Sequence, residues 1–82
     1  MNKKELENAH RHSFRNRVEI EQSLKCGCFS CSRMFLSSEV EDYTDDGETA
    51  LCPYCGVDSV IGDASGFRLS EGFLHSMHKR WI

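Results

Sequence analysis

Apolar positions recur at helical spacing near both ends of this 82-residue chain and lose that period in its middle. Leu6, Ala9, His10, Ser13 and Phe14 fall close to one helical face and predict a helix over 3–14. Asn16 is placed to cap a second helix over 17–24 that carries Val18, Ile20 and Leu24. Both are weakly amphipathic, and the first residues hold so little apolar surface that they are expected to fray. From Cys26 onward the signals become those of short strands and turns. Phe29, Met34, Phe35 and Leu36 form one apolar group, and Ser37 or Ser38 before Glu39-Val40-Glu41 predicts a single helical turn. Asp46-Gly47 marks a tight turn leading into Thr49-Ala50-Leu51, and 57–61 reads as a further strand. After a turn over 62–66, a last helix is predicted over 69–81. Ser70 is its N-cap, Leu69 and Leu74 are spaced for a hydrophobic staple, and Lys79 and Arg80 lie at its negative end. Its apolar face, Phe73, Leu74, Met77 and Trp81, is expected to pack on the strands.

The cysteines change this picture most. Cys28-Phe-Ser-Cys31 and Cys52-Pro-Tyr-Cys55 repeat one form, separated by 20 residues. Two such pairs at this distance are the pattern of a four-thiolate zinc site, since each pair can pinch one tetrahedral ion while the chain between them folds back. Pro53 stiffens the second turn, and Gly56 suits the positive φ at which a knuckle closes and presents amide hydrogens to sulfur. The first cluster, Cys26-Gly-Cys28-Phe-Ser-Cys31, offers three thiols for two positions. Cys28 repeats the spacing of the other pair, and Cys26 with Cys31 also lies within the range that zinc sites tolerate. The predicted ligands are Cys28, Cys31, Cys52 and Cys55 around one structural Zn2+, with Cys26 as a spare thiol. A tetrahedral all-sulfur shell also suits iron.

The expected fold is therefore α+β: a small zinc-ribbon-like β core over 26–63, helical N-terminal segments over 1–25 and a C-terminal helix over 69–81, all in one domain spanning 1–82. A chain of this length, 39% hydrophobic, builds a core worth only about 3–5 kcal/mol by itself. Structural zinc contributes roughly 10–16 kcal/mol in small peptides, so the metal-free chain is expected to be unfolded or molten. The polar N-terminus has no signal-peptide pattern and no segment reaches the length of a membrane span, which predicts a soluble, cytoplasmic protein in which five cysteines are ligands rather than disulfides.

Charge divides along the chain. Residues 1–33 hold seven Lys/Arg against four Glu, a net +3, and residues 34–66 hold eight acids with no Lys or Arg, a net −8. Residues 67–82 add +2, for a total of −3. A tetrathiolate around a divalent ion adds about two negative charges to the middle segment, which repels phosphate backbones.

Other chemistry is weaker. Cys52-Pro-Tyr-Cys55 resembles the dithiol of glutaredoxins, but only 27 residues follow it, too few for the β-α-β-β-α set of that fold. His10 and His12, and His75 and His78, carry no recognisable catalytic pattern and read as surface or packing residues. Asp42, Thr44, Asp46 and Gly47 echo a calcium loop whose twelfth position would be Pro53 rather than Glu, so a solvated acidic turn is expected.

Taken together, Cys-Gly-Cys-Phe-x-Cys at 26–31 and the run from Asp45 to Gly66 through Cys52-Pro-Tyr-Cys55-Gly56 resemble a family of small bacterial cytoplasmic proteins without an assigned activity. The likeness covers residues 10–82 and implies a zinc-ribbon-like module, with no substrate or catalytic residue. The function expected is non-enzymatic: a protein-interaction module with a structural metal. The alternatives are a nucleic-acid-binding ribbon using Arg11, Arg15 and Arg17, and a thiol redox or metal-stress sensor.

Overall fold

A computed structural model describes residues 2–82. Helix α1 spans Lys3–Arg11 and α2 spans Arg17–Gln22. Strands β1 (Lys25–Cys28) and β2 (Met34–Leu36) are followed by a 3-10 turn over Ser37–Glu39 and a short hairpin of β3 (Tyr43–Thr44) and β4 (Thr49–Ala50). Strand β5 (Val60–Gly62), a second 3-10 turn (Asp63–Ser65) and helix α3 (Glu71–Trp81) complete the chain. The α+β architecture is as expected, with helices at both ends and antiparallel strands between them.

The main sheet has the order β2-β1-β5, with Cys26 opposite both Phe35 and Gly62, and Cys28 opposite Val60. Side chains alternate across a strand, and here the alternation separates two cores. Ile61 joins Leu6, Ala9, Phe29, Phe73, Leu74 and Met77 beneath α1 and α3. Val60, Cys26 and Cys28 join Ile20, Phe35, Ala50 and Cys52 on the side of α2 and the β3–β4 hairpin. Two glycines make close packing possible. A Cβ on Gly27 would lie 3.0 Å from Leu74 Cδ2, and one on Gly62 would lie 2.2 Å from Ser23 Oγ, so each lets a helix or its end settle onto the strand.

Several boundaries differ from expectation. Helix α1 stops at Arg11 rather than 14, because His12 N–H turns back to Ala9 O and Ser13 Oγ donates to His10 O. Nor does the helix start lack anchorage: Leu6 and Ala9 are buried against α3, and Asn2 Oδ1 caps Glu5 N–H at 2.8 Å. Asn16 stands at the start of α2 without capping it through its side chain. That amide is buried and tied elsewhere, donating to His12 O and Val60 O, both at 2.8 Å, and accepting from Ala50 N–H at 3.1 Å. It joins the α1–α2 link to β4 and β5. Helix α2 ends at Gln22, two residues early, and Leu24 is exposed. The strand expected over 57–61 forms over Val60–Gly62, since residues 57–59 are used to close a cysteine turn. Ser70 caps α3 as predicted, accepting from Phe73 N–H at 3.1 Å.

Strand β2 is an open edge, and Glu39 blunts it. One carboxylate oxygen accepts Leu36 N–H at 2.8 Å while the other accepts the Tyr54 hydroxyl, so a single side chain covers an unpaired strand amide and ties the sheet edge to the second cysteine pair.

Candidate metal centre

Each cysteine pair sits in a turn with the same backbone. In the first, Ser32 N–H donates to Cys28 O at 2.8 Å and Cys28 N–H to Arg33 O at 2.9 Å. In the second, Gly56 N–H donates to Cys52 O at 2.9 Å and Cys52 N–H to Val57 O at 3.0 Å. The residue that closes each turn is left-handed: Ser32 at φ 64° and Gly56 at φ 78°. The sequence marks the second of these positions with glycine. It hides the first, where a serine takes the same conformation. Amide hydrogens converge on the leading sulfur of each turn: the N–H groups of Ser30 and Cys31 on Cys28, and those of Tyr54 and Cys55 on Cys52.

The turns differ in their seating. Cys28 ends β1, so the first is the reversal between β1 and β2, with Cys28 and Phe29 buried and Ser32 and Arg33 exposed. The second spans the connection from β4 to β5, where Cys52 is buried and Cys55 exposed. The sheet and hairpin bring the turns face to face. The four Sγ atoms of Cys28, Cys31, Cys52 and Cys55 lie within 4.8 Å of one another. Cys28 and Cys55 are 3.6 Å apart, and Cys31 and Cys52 3.7 Å. A tetrahedron with metal–sulfur bonds of about 2.3 Å has edges of about 3.8 Å, so these four thiols are positioned to hold one metal ion. Four soft sulfur donors suit zinc, copper(I) or iron and are poor ligands for magnesium or calcium.

Burial pushes the Cys28 thiol up to about 12, against the opposing hydrogen bonds from Ser59 and the turn amides. Ser59 Oγ lies 3.0 Å from its sulfur and is itself buried. Burial likewise raises Cys31. At Cys52 burial acts in the same direction, but the amides of Cys55 and Tyr54 and the neighbouring thiols outweigh it and hold the group below its ordinary value. A cation bound among four such sulfurs must displace their protons and would reverse the burial penalty.

Cys26 lies outside the group. It is fully buried in β1, opposite Phe35 and Gly62, and burial together with Asp63 drives its thiol up to about 12. The histidines are dispersed. His12 Nδ1 contacts Glu19 at 2.9 Å, His78 Nδ1 donates to Phe29 O at 3.0 Å, and His10 stacks on Trp81 with ring centroids 4.0 Å apart. His75 is exposed on α3. Among the described residues, no other group of three or more metal-ligating side chains converges. The acidic turn at 42–47 is exposed or half-buried, with Asp45 accepting from Thr49 Oγ1 at 2.8 Å, and its carboxylates do not gather around a common point.

Sequence reasoning missed three contributors to this site. Ser59 was read only as part of a strand, Ser32 carries no conformational signal, and Asn16, which fixes both flanks of the second turn at Ala50 and Val60, looked like a helix cap.

No family model, curated protein or solved structure matches the chain, so the resemblance to a bacterial zinc-ribbon family gains no support beyond the four-cysteine cluster itself. No helix among the described residues is long and apolar enough to cross a membrane.

Proposed function

We propose that Cys28, Cys31, Cys52 and Cys55 hold one structural zinc ion and that the protein is a binding module whose partner is another protein. The observation that carries this reading is the pair of equivalent turns meeting with Sγ–Sγ separations of 3.6 and 3.7 Å. Four protein ligands leave a zinc ion no open position for a substrate or activated water, which argues for a structural ion and against a catalytic one. Zinc is preferred over iron because the site needs no redox role to explain its build; a colourless purified protein supports zinc, and a red one iron.

A protein partner fits the charge better than a nucleic acid does. None of the eight acids between 34 and 66 takes part in an ion pair among the described residues. Of the three arginines that favoured a nucleic acid, Arg17 is already engaged: it lies 4.4 Å over the Tyr43 ring, donates to Gly47 O at 2.9 Å and pairs with Glu21. A gel shift that weakens steeply with salt would favour nucleic acid through Arg11 and Arg15 instead. The redox alternative requires a reactive thiol in the metal-loaded protein, whereas Cys26 and Cys52 are buried and only Cys55 is exposed. Metal analysis of purified protein tests the reading: one equivalent of zinc is expected, lost when Cys52 and Cys55 are both replaced by serine. Less than half an equivalent, or retention in that variant, overturns it.

A further inference from the structure

We propose that the pocket between α1, α3 and the second cysteine turn receives one apolar side chain of a protein partner, presented beside a basic residue. This inference rests on the reading of the protein as a metal-stapled binding module, and it locates the binding surface.

The pocket has a volume of about 220 Å³, and its lining includes Phe14, Phe29, Val57, Asp58, Trp81 and Ile82. Small-molecule sites run from about 300 to 1,000 Å³, so this one is of a size for a single side chain. Three of its walls, Phe14, Val57 and Ile82, are large apolar residues left exposed on the surface of the protein. Apolar residues clustered around a concavity, rather than scattered singly, mark a contact surface, and a buried anchor in a pocket is how such surfaces gain most of their affinity.

One exposed charge specifies what accompanies that anchor. Asp58 is the only acid in the pocket wall, is exposed and forms no ion pair among the described residues. Immediately behind it, Ser59 is hydrogen-bonded to Cys28, which places the anionic tetrathiolate of the loaded protein one residue away. That field favours a lysine or arginine next to the anchor and opposes a phosphate. The flanking Arg80 does not cancel it, being paired with Glu7 at 3.6 Å and stacked 4.4 Å over the Trp81 ring.

The pocket also adjoins the metal site, since Val57 in its wall closes the Cys52 turn, its carbonyl oxygen accepting Cys52 N–H.

Trp81 is the only tryptophan in the chain, so its indole N–H gives a single resolved NMR signal that reports on the pocket. The test titrates metal-loaded protein of measured zinc content with a blocked arginine–leucine–lysine tripeptide, alongside a version with glycine for leucine and one with glutamate for both basic residues. The basic leucine peptide is expected to shift the indole signal saturably, and either replacement should weaken it about tenfold. Phe14→Ala, at an exposed rim position, should weaken binding by a similar factor, and Asp58→Lys should abolish the preference for the basic peptide. No shift with any peptide in protein carrying one zinc overturns this proposal while leaving the metal reading intact; protein without zinc overturns the metal reading instead. A shift that grows with protein concentration alone assigns the pocket to a second copy, and a shift produced only by a single-stranded oligonucleotide assigns it to nucleic acid. Either result overturns the proposal.

Discussion

The two cysteine turns share one backbone and differ in what lies around them. In each, a leading cysteine collects two amide hydrogens, its carbonyl accepts from the fourth residue on, and a left-handed residue closes the loop. The first is continuous with the three-stranded sheet, so its position is fixed by hydrogen-bonded strands on both sides of Cys28. The second is a connection between a two-residue strand and β5, held at its flanks by Asn16 and on its surface by the Tyr54–Glu39 contact. A metal ion bound between them would therefore have unequal work to do: the first turn already rests on paired strands, and the second would gain more from being tied to it.

The largest expected effect follows from removing the ion. Chelation should collapse the amide dispersion of the second turn and the β3–β4 hairpin first. Loss of a structural zinc, worth roughly 10 kcal/mol in small peptides, then leaves a core of marginal size, so global unfolding should follow. NMR spectra recorded with and without chelator read both effects. If β1, β2 and β5 lose their signals before the second turn does, the comparison is wrong. Acid should act like chelator. Burial raises the Cys28 thiol to about 12, above its ordinary value, so this sulfur holds its proton more tightly than a solvated cysteine and the proton competes more strongly with the ion. Apparent zinc affinity should therefore rise with pH, by about tenfold per unit for each thiol that must lose its proton, and fall away in mild acid.

Removing single ligands should separate the turns. Cys28→Ser loses a metal bond at a fully buried position and, with its shorter C–O bond, stretches the contacts to Ser59 and the Ser30 and Cys31 amides, whereas Cys55→Ser alters an exposed position. The first should be more destabilising by about 2 kcal/mol, measurable as a difference in denaturation midpoint at saturating zinc. Asn16→Ala leaves Ala50 N–H and Val60 O without their partner at the two flanks of the second turn. A loss of about 3 kcal/mol is expected, with hydrogen exchange accelerated over 51–59 more than in β1.

How much of this was legible beforehand depended on whether a residue's role was local. Gly56, the Asp46-Gly47 turn and the Ser70 cap act through their immediate neighbours, and the four cysteines, although they meet across 21 and 27 residues, stand in two locally spaced pairs that residue type exposed. Asn16 acts across 34 and 44 residues, on Ala50 and Val60, and nothing local distinguishes a bridging amide from a capping one. Leu6 and Ala9 marked a helical face, but the surface they pack on, in α3, lies at the far end of the chain and nothing local pointed to it. Strand β1 was hidden for another reason. Its residues were weighed for their thiols, Cys28 as a ligand and Cys26 as a spare, whereas in the strand Gly27 admits Leu74 and Cys26 is a packed core residue.

The smallest effects come from the closing residues of the turns. A methyl group on Gly56 would meet nothing within 4 Å, so Gly56→Ala should cost only the left-handed backbone penalty, about 1 kcal/mol. Ser32 already bears that penalty, and Ser32→Gly should gain back no more than about 0.5 kcal/mol once the added freedom of the unfolded chain is counted. Opposite signs at the two equivalent positions would support the shared geometry. A destabilising Ser32→Gly of more than 1 kcal/mol would mean that the serine side chain contributes something the turn comparison omits.

Native mass spectrometry of the protein purified without added metal, at neutral pH, tests the central claim most directly. One zinc ion per chain is predicted, retained by Cys26→Ala and lost by the Cys52→Ser, Cys55→Ser double variant. A metal-free chain, a chain carrying disulfides in place of the ion, or loss of zinc from Cys26→Ala would contradict the assignment of Cys28, Cys31, Cys52 and Cys55 as the staple that joins the two turns.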